Sequence, residues 1–83
     1  METGISTNIR TLRISKGYKQ EFVALKTKMT QANYSKIESG KIEPSLQQIE
    51  KLSQIFETTT EEIMHGKKVV IFEEDNSKNE LTN

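Results

Sequence analysis

Residues 20–41, QEFVALKTKMTQANYSKIESGK, decide the fold because they hold two short helical patterns in immediate succession. The first pattern, residues 20–26, is too short to be stable alone, so neighbouring elements must hold it. The second pattern begins at Thr30, a favourable N-cap residue, and runs over residues 30–39 to a stop at Gly40. Two helices of this size, with three or four residues between them, have the dimensions of a helix-turn-helix.

The leading turn of the second pattern lacks large apolar side chains, since Gln31, Ala32 and Asn33 precede Tyr34. In a helix-turn-helix the second helix presents its N-terminal side chains to base edges in the major groove of DNA. Each amide can offer a donor and an acceptor to adenine, and an alanine can touch a thymine methyl group. Lys36, five residues after Gln31, is expected near the same face. We therefore predict base contacts from Gln31, Ala32, Asn33 and Lys36, the alternative for each being an ordinary solvent-exposed residue.

Three more helices are predicted around this motif. The first runs from Thr7, with Ile5 upstream, to a stop at Gly17, because its apolar residues keep helical spacing. The two others follow Pro44 and end at Gly66. Each begins with a capping box, the pairs being Ser45 with Gln48 and Thr59 with Glu62. The sequence therefore predicts an all-α domain of five helices over residues 1–66.

The chain changes character after Gly66. Residues 67–72, KKVVIF, form a β-branched apolar run that is short enough for a strand, and residues 73–83 are polar, acidic and predicted to be disordered. A lone strand is marginal in water, so residues 67–72 must pair with their own helices or with the same strand of a second copy. We therefore treat residues 67–83 as a tail that contains a candidate dimerisation strand and a candidate site for a protein partner.

The net charge of zero hides an asymmetry between the two ends of the chain. Residues 1–56 carry nine Lys or Arg against five Glu, a charge of +4, whereas residues 57–83 carry three Lys against seven acidic residues, a charge of −4. A basic front is consistent with a DNA partner, although solvated helix faces produce the same imbalance. The candidate phosphate-neutralising lysines are Lys16, Lys19, Lys26, Lys28 and Lys41.

Composition excludes several classes of function. The chain has no cysteine and a single histidine, His65, so we expect no disulfide, metal site or cofactor. No nucleophile is paired with a base and no glycine loop cradles a phosphate, so we do not expect an enzyme. No apolar run approaches a membrane span, and the N-terminus lacks the apolar segment of a signal peptide, so we expect a cytoplasmic protein.

The chain from Ile9 to Gly66 resembles the phage-repressor/Cro-like helix-turn-helix proteins, also called the XRE family. The matching pieces, in order, are Ile-x-x-Leu-Arg at 9–13, Gly17, Gln20-Glu21, Val23-Ala24, Thr30, Ser-x-Ile-Glu-x-Gly-Lys at 35–41, and Pro44-Ser45. The resemblance implies a five-helix repressor-like fold and transcriptional regulation through double-stranded DNA, usually by a homodimer.

The resemblance also implies roles for individual residues. Gln20 and Lys41 match positions that contact the DNA backbone, and Lys19, Lys28 and Tyr34 are added as phosphate contacts by their charge or reach. Arg13 and Glu38 match a structural pair that joins the first and third helices. Ala24 matches a position where a small residue lets the two motif helices cross closely, and Gly40 ends the second of them.

Three departures from the family pattern concern the first motif helix. Lys28 stands where glycine is common, which costs about 1 kcal/mol if the backbone there is left-handed. Lys19 stands where Ser or Thr often caps the helix. Phe22 and Leu25 occupy positions that are usually polar, so they are expected to form an exposed apolar pair that the tail or a partner covers.

The interpretation that unites these features is a sequence-specific repressor that binds a short palindromic operator as a homodimer, with half-sites about 10 bp apart or a multiple of that spacing. Three alternatives remain open. The protein can be the antitoxin of a toxin–antitoxin pair with its tail on a protein partner, a controller of a restriction–modification system, or a module that binds only proteins.

Overall fold

The computed structural model describes residues 4–66 as five α-helices. Their bounds are α1 Gly4–Ser15, α2 Gln20–Lys26, α3 Gln31–Glu38, α4 Leu46–Phe56 and α5 Thr60–His65. The predicted all-α, five-helix architecture is confirmed over these residues. The dimerisation strand at 67–72 and the disordered end at 73–83 lie outside the described residues. Within 4–66 every helix is too short or too polar to cross a lipid bilayer.

The start of α1 differs from the prediction. The helix begins at Gly4 rather than at Thr7, so it is about one turn longer at its N-terminus. Ile5 lies in this additional turn and packs against the core, which holds the turn in place. The predicted stop at Gly17 is confirmed, because the backbone there is left-handed with φ of +74°.

One compact apolar core joins the five helices. Its buried residues are Ile9, Val23, Ala24, Tyr34, Ile37, Ile49, Leu52, Phe56 and Ile63. α1 packs against α3, α4 and α5, and α2 packs against α3 and α4. Burying a large aliphatic or aromatic side chain contributes about 1.5–3 kcal/mol, so this shared core stabilises helices that are too short to form alone. The small side chain of Ala24, 2% exposed, lies on the inner side of α2.

The observed helix caps largely agree with those predicted from the sequence. The capping box of Ser45 and Gln48 is complete, with both reciprocal hydrogen bonds formed. The second predicted box is only half present. The Thr59 hydroxyl accepts from the backbone N–H of Glu62 at 3.0 Å, but the Glu62 carboxylate accepts from the hydroxyl of Thr58 instead of from the N-cap backbone. The Thr58 side chain therefore replaces the backbone donor.

The turn between α2 and α3 has a left-handed residue at the predicted place. Lys28 has φ of +61°, and the N–H of Met29 returns to the carbonyl of Ala24 at 2.8 Å, which closes the end of α2. Thr27 is buried, and its hydroxyl donates to the carbonyl of Val23 at 2.7 Å. This hydrogen bond satisfies the hydroxyl of a buried polar residue.

Replacing Lys28 by glycine should raise the free energy of unfolding by about 0.5–1 kcal/mol, because glycine adopts a positive φ without the steric cost of a Cβ. Urea unfolding measures the change. Lys28→Ala removes the charge and keeps the Cβ, so it should not reproduce the gain. Lys51→Gly, at an exposed position inside α4, should instead cost about 1 kcal/mol. A glycine at residue 28 that left stability unchanged would argue against strain there.

Candidate nucleic-acid interface

The Glu38 carboxylate, at the C-terminal end of α3, is the centre of a buried polar network. Arg13 donates to it twice, from Nε to Oε2 at 2.6 Å and from Nη2 to Oε1 at 3.1 Å. Gln20 donates from Nε2 to Oε1 at 3.0 Å, and the Tyr34 hydroxyl donates to Oε2. Glu38 is only 8% exposed, so these four hydrogen bonds replace its contact with water.

This network sets the position of α3 relative to the first two helices. Arg13 belongs to α1, Gln20 is the first residue of α2, and Tyr34 lies one turn before Glu38 on α3. Arg13 also donates from Nη1 to the carbonyl of Tyr18 at 2.9 Å, which ties down the connection between α1 and α2. The expected pair of Arg13 and Glu38 is thus present. The network around it also includes Gln20 and Tyr34, which the sequence analysis did not link to this pair.

Burial and hydrogen bonding act in opposite directions on the Glu38 carboxylate. Burial alone would raise its pKa, but the hydrogen bonds from Arg13, Tyr34 and Gln20 outweigh burial and hold the pKa below its ordinary value. The pKa of Tyr34 is raised, first by burial and then by its hydrogen bond to Glu38. Glu38 is therefore ionised and Tyr34 is neutral and donating near neutral pH.

The opposite side of α3 is open to solvent. Gln31, Ala32 and Asn33 are all exposed, and the hydroxyl of Thr30 caps the helix by accepting from the backbone N–H of Asn33 at 3.1 Å. Lys36 is exposed as well. The leading turn of α3 therefore presents two amides and a methyl group to whatever lies in front of it.

The position of Lys36 corrects one expectation. Residues of an α-helix are spaced by about 100° around its axis, so Lys36 is about 140° from Gln31. It lies one turn beyond Ala32, at the i, i+4 position, instead of on the face of Gln31. Ala32 and Lys36 form the central line of the exposed side, and Gln31 and Asn33 flank it.

Five residues were predicted to contact phosphates, and the structure is compatible with four of them: Lys19, Gln20, Lys28 and Lys41. Lys19, Lys28 and Lys41 have exposed side chains. The backbone N–H of Lys41 donates to the carbonyl of Lys36 at 2.9 Å, which fixes the loop after α3. Gln20 is half-buried, and since an amide nitrogen carries two hydrogens, its bond to Glu38 leaves a second one to donate.

Tyr34 is the exception, and its predicted phosphate contact is wrong. Its side chain is fully buried and its hydroxyl is engaged by Glu38, so it cannot reach a ligand outside the domain. The spacing of Tyr34 and Glu38, four residues apart on one helix, was the available signal for this role. Lys16 also differs from expectation, because its ammonium group pairs with Glu57 at 3.1 Å.

His65 lies in the last turn of α5, where its Nε2 is 3.6 Å from a carboxylate oxygen of Glu61. Both side chains are largely exposed, so the pair contributes little to stability. Across residues 4–66 the structure holds no cluster of three or more histidine or acidic side chains with the geometry of a metal site.

Comparison with known proteins places the chain in a family. A family profile described as helix-turn-helix matches residues 9–63, more than half of the chain. The chain therefore belongs to this family, the XRE-type helix-turn-helix proteins. The HTH-type transcriptional regulator YonR, derived from the SPbeta prophage of Bacillus subtilis strain 168, is 38% identical over 58 residues. That match covers 70% of this chain and 54% of YonR, so the chain corresponds to about half the length of this relative.

Two solved structures share the fold and part of the sequence. The restriction-modification controller protein C.AhdI from Aeromonas hydrophila is 27% identical, with a TM-score of 0.69 over 72% of this chain and 91% of that chain. The N-terminal DNA binding domain of SinR from Bacillus subtilis is 28% identical, with a TM-score of 0.67 over 71% of this chain and 87% of that chain. The five-helix arrangement is therefore that of known regulators.

Replacing Glu38 by glutamine should lower the free energy of unfolding at pH 7 by about 3–5 kcal/mol, because Arg13 then loses its buried partner. The difference from the unmodified protein should shrink on acidification. Since the pKa of Glu38 is depressed in the folded state, its contribution is present above its ordinary pKa of 4.5 and is lost as pH falls through the folded value. Urea unfolding at several pH values measures both effects.

Two further variants keep this prediction testable if Glu38→Gln does not fold. Tyr34→Phe removes one donor from the carboxylate and should cost about 1–3 kcal/mol. Glu43→Gln, at an exposed position, should change stability by less than about 0.5 kcal/mol. An identical pH dependence in Tyr34→Phe and the unmodified protein would contradict the role of the network.

Proposed function

We propose that the protein is a sequence-specific DNA-binding repressor that acts as a homodimer on a short palindromic operator and reads bases with α3. The observation that carries the proposal is the leading turn of α3. It exposes Gln31, Ala32 and Asn33, while the same helix is anchored from behind by the buried carboxylate of Glu38. A helix held on one side and polar on the other is suited to enter the major groove.

The chemistry of the exposed turn supports base reading. An amide side chain can donate to and accept from adenine at the same time, and a methyl group can pack on the methyl of thymine. Lys36, one turn beyond Ala32, can reach a guanine or a phosphate. Because the Thr30 cap and the core fix the backbone, these groups are held in place before DNA arrives, which reduces the entropy lost on binding.

Backbone contacts are assigned to groups around α3. Lys28 precedes the helix, Lys41 follows it, and Lys19 and Gln20 lie at the start of α2. Each phosphate that such a cation neutralises should lower the logarithm of the affinity by about 0.9 for each tenfold rise in salt concentration. The proposed interface therefore combines cations that orient the protein on the DNA backbone with a few side chains of α3 that contact bases.

A second copy is part of the proposal because one short helix spans few base pairs. Two copies related by a two-fold axis would read half-sites about 34–36 Å apart along one face of the duplex. Ile42, in the connection between α3 and α4, is 40% exposed, and Leu46, the first residue of α4, is 63% exposed. They supply apolar surface beside α3 on which a second copy can pack.

A controller of a restriction–modification system is the second candidate. It is favoured by the similarity to C.AhdI, which this chain matches over 91% of that protein's length. Selection of bound sequences from randomised duplex DNA identifies the operator. The two candidates then differ in whether that sequence occurs beside a gene pair for a DNA methyltransferase and an endonuclease.

Single substitutions tested on the selected operator separate reading from positioning. Gln31→Ala should lose about 1–3 kcal/mol of discrimination at one base position and little affinity for random duplex DNA. Lys41→Ala should weaken binding to both DNAs alike and reduce the salt slope by about one unit. Binding isotherms at several salt concentrations measure both quantities.

Gln47→Ala, on the exposed side of α4, is the control for Gln31→Ala. It should change neither the discrimination between bases nor the salt dependence of the affinity. Equal losses on operator and random DNA with Gln31→Ala would refute the reading role. Absence of any salt-dependent binding to duplex DNA would refute the proposed function as a whole.

A further inference from the structure

The outer side of α2 carries an apolar groove whose exposed apolar residues, Phe22 and Leu25, belong neither to the buried core nor to the proposed DNA interface. Phe22 is 38% exposed and Leu25 is 74% exposed. The ring of Tyr18 lies against that of Phe22, with their centroids 4.8 Å apart. We call this feature the α2 groove; it is open, has a volume of about 620 Å³, and is lined by Gly17, Tyr18, Lys19, Glu21, Phe22 and Leu25.

The charged side chains around the α2 groove are mostly basic. Lys19 lines one end, and the Nζ atom of Lys26 lies 5.6 Å from the centre of the Phe22 ring. Glu21 is the acidic side chain of the lining. A segment that combines apolar residues with adjacent carboxylates would therefore complement the groove in both shape and charge.

The chain leaves the described domain close to a surface that leads to this groove. Gly66 lies against Asn8, whose Nδ2 donates to the carbonyl of Ile63 at 2.7 Å, and a Cβ added at Gly66 would be 3.0 Å from Asn8 Oδ1. Asn8, Thr11 and Ser15 follow one another along a single side of α1, which ends just before Tyr18. The exit point is therefore at one end of a path along α1, and the groove is at the other.

The length of the apolar run matches this path. Residues 8 to 15 cover about 10 Å of helix axis, and the turn to Tyr18 brings the distance to roughly 20 Å. The six residues of 67–72 span about 20 Å when extended, at about 3.3 Å per residue. Ile71 and Phe72 can then reach the groove, and the acidic residues that follow them can reach its lysines.

We propose that the segment 67–75 runs along α1 of its own chain and places Ile71 and Phe72 in the α2 groove. Glu73, Glu74 and Asp75 then lie next to Lys19 and Lys26. The segment is apolar first and acidic second, so its apolar residues would meet the groove and its acidic residues would meet the lysines beside the groove. The apolar residues of 67–72 would then be buried against their own chain and would not need to pair with a strand from a second copy.

The docked segment would also act on DNA binding, a consequence that rests on the proposed function. Lys19 belongs to the cations assigned to the DNA backbone. Carboxylates held beside it compete with phosphates for the same charge, so the segment lowers affinity for DNA until it is displaced. Binding would then be restrained by the protein's own acidic residues.

Paramagnetic broadening in NMR spectra tests the contact without DNA, so its result does not depend on the proposed function. Because the sequence contains no cysteine, Ser77→Cys provides a single position for a nitroxide label. The label should broaden the backbone amide signals of Phe22 and Leu25, and leave those of Ile42 and Leu46 sharp. Leu25→Ser, at a residue 74% exposed, should abolish the broadening at Phe22 without unfolding the domain.

Two results would overturn the proposal. One is the absence of selective broadening at α2, or broadening that persists at full strength in Leu25→Ser. The other comes from a mixture of isotope-labelled chains that lack the nitroxide with unlabelled chains that carry it. Broadening of α2 in that mixture would show that the segment of a second copy occupies the groove.

A double-mutant cycle tests the effect on DNA. Neutralising the acidic residues by Glu73→Gln, Glu74→Gln and Asp75→Asn should raise the affinity for random duplex DNA at low salt by roughly two- to fivefold, the size of one exposed ion pair. In the Leu25→Ser background the same change should have a smaller effect, because the segment is no longer held at the groove. An equal effect in both backgrounds would show that the acids act only through net charge.

Discussion

The burial of one carboxylate, that of Glu38, is the interaction on which the rest of the domain depends. An ionised group that is 8% exposed needs partners, and it finds them on three helices through Arg13, Gln20 and Tyr34. Removing one charged member of the buried pair of Arg13 and Glu38 is expected to cost about 3–5 kcal/mol, which is a large part of the total stability of a small domain. The network therefore does more than add stability, because three of its four hydrogen bonds join α3 to α1 and α2 at one carboxylate.

This internal anchor explains how α3 can begin with side chains that contribute nothing to the core. The helix has eight residues, and the side chains that hold it, Tyr34, Ile37 and Glu38, all follow its first three residues. Its first turn depends on the Thr30 cap and on the chain that precedes it. The first turn is thus free to carry the groups suited to a ligand, at the cost of making α3 entirely dependent on its neighbours. The division between an exposed leading turn, residues 31–33, and the anchored remainder of the helix is the structural basis of the proposed DNA reading.

Local chemistry made much of the fold predictable. The cap at Ser45 follows from residue types at short spacing, whereas the left-handed backbone at Lys28 and the exposure of Phe22 were expected from the resemblance to the family pattern; the structure shows all three. The exposure of the leading turn of α3 was predictable from its lack of large apolar side chains. Contacts between distant residues were not predictable from local chemistry, because they depend on how the helices meet, and the pair of Arg13 and Glu38 was expected only from the resemblance. The hydrogen bond from Gln20 to Glu38 spans 18 residues of sequence. The Tyr34 hydroxyl is buried where it donates to the same carboxylate.

The central claim is that DNA meets the leading turn of α3. NMR spectra of isotope-labelled protein, recorded while an operator duplex is added, test it most directly because they report every backbone amide and the side-chain amides of Gln31 and Asn33. The largest changes should fall on those two side chains, on the backbone of residues 30–36 and on Lys41. Changes confined to α4 and α5, with the amides of Gln31 and Asn33 unmoved at saturation, would contradict the account.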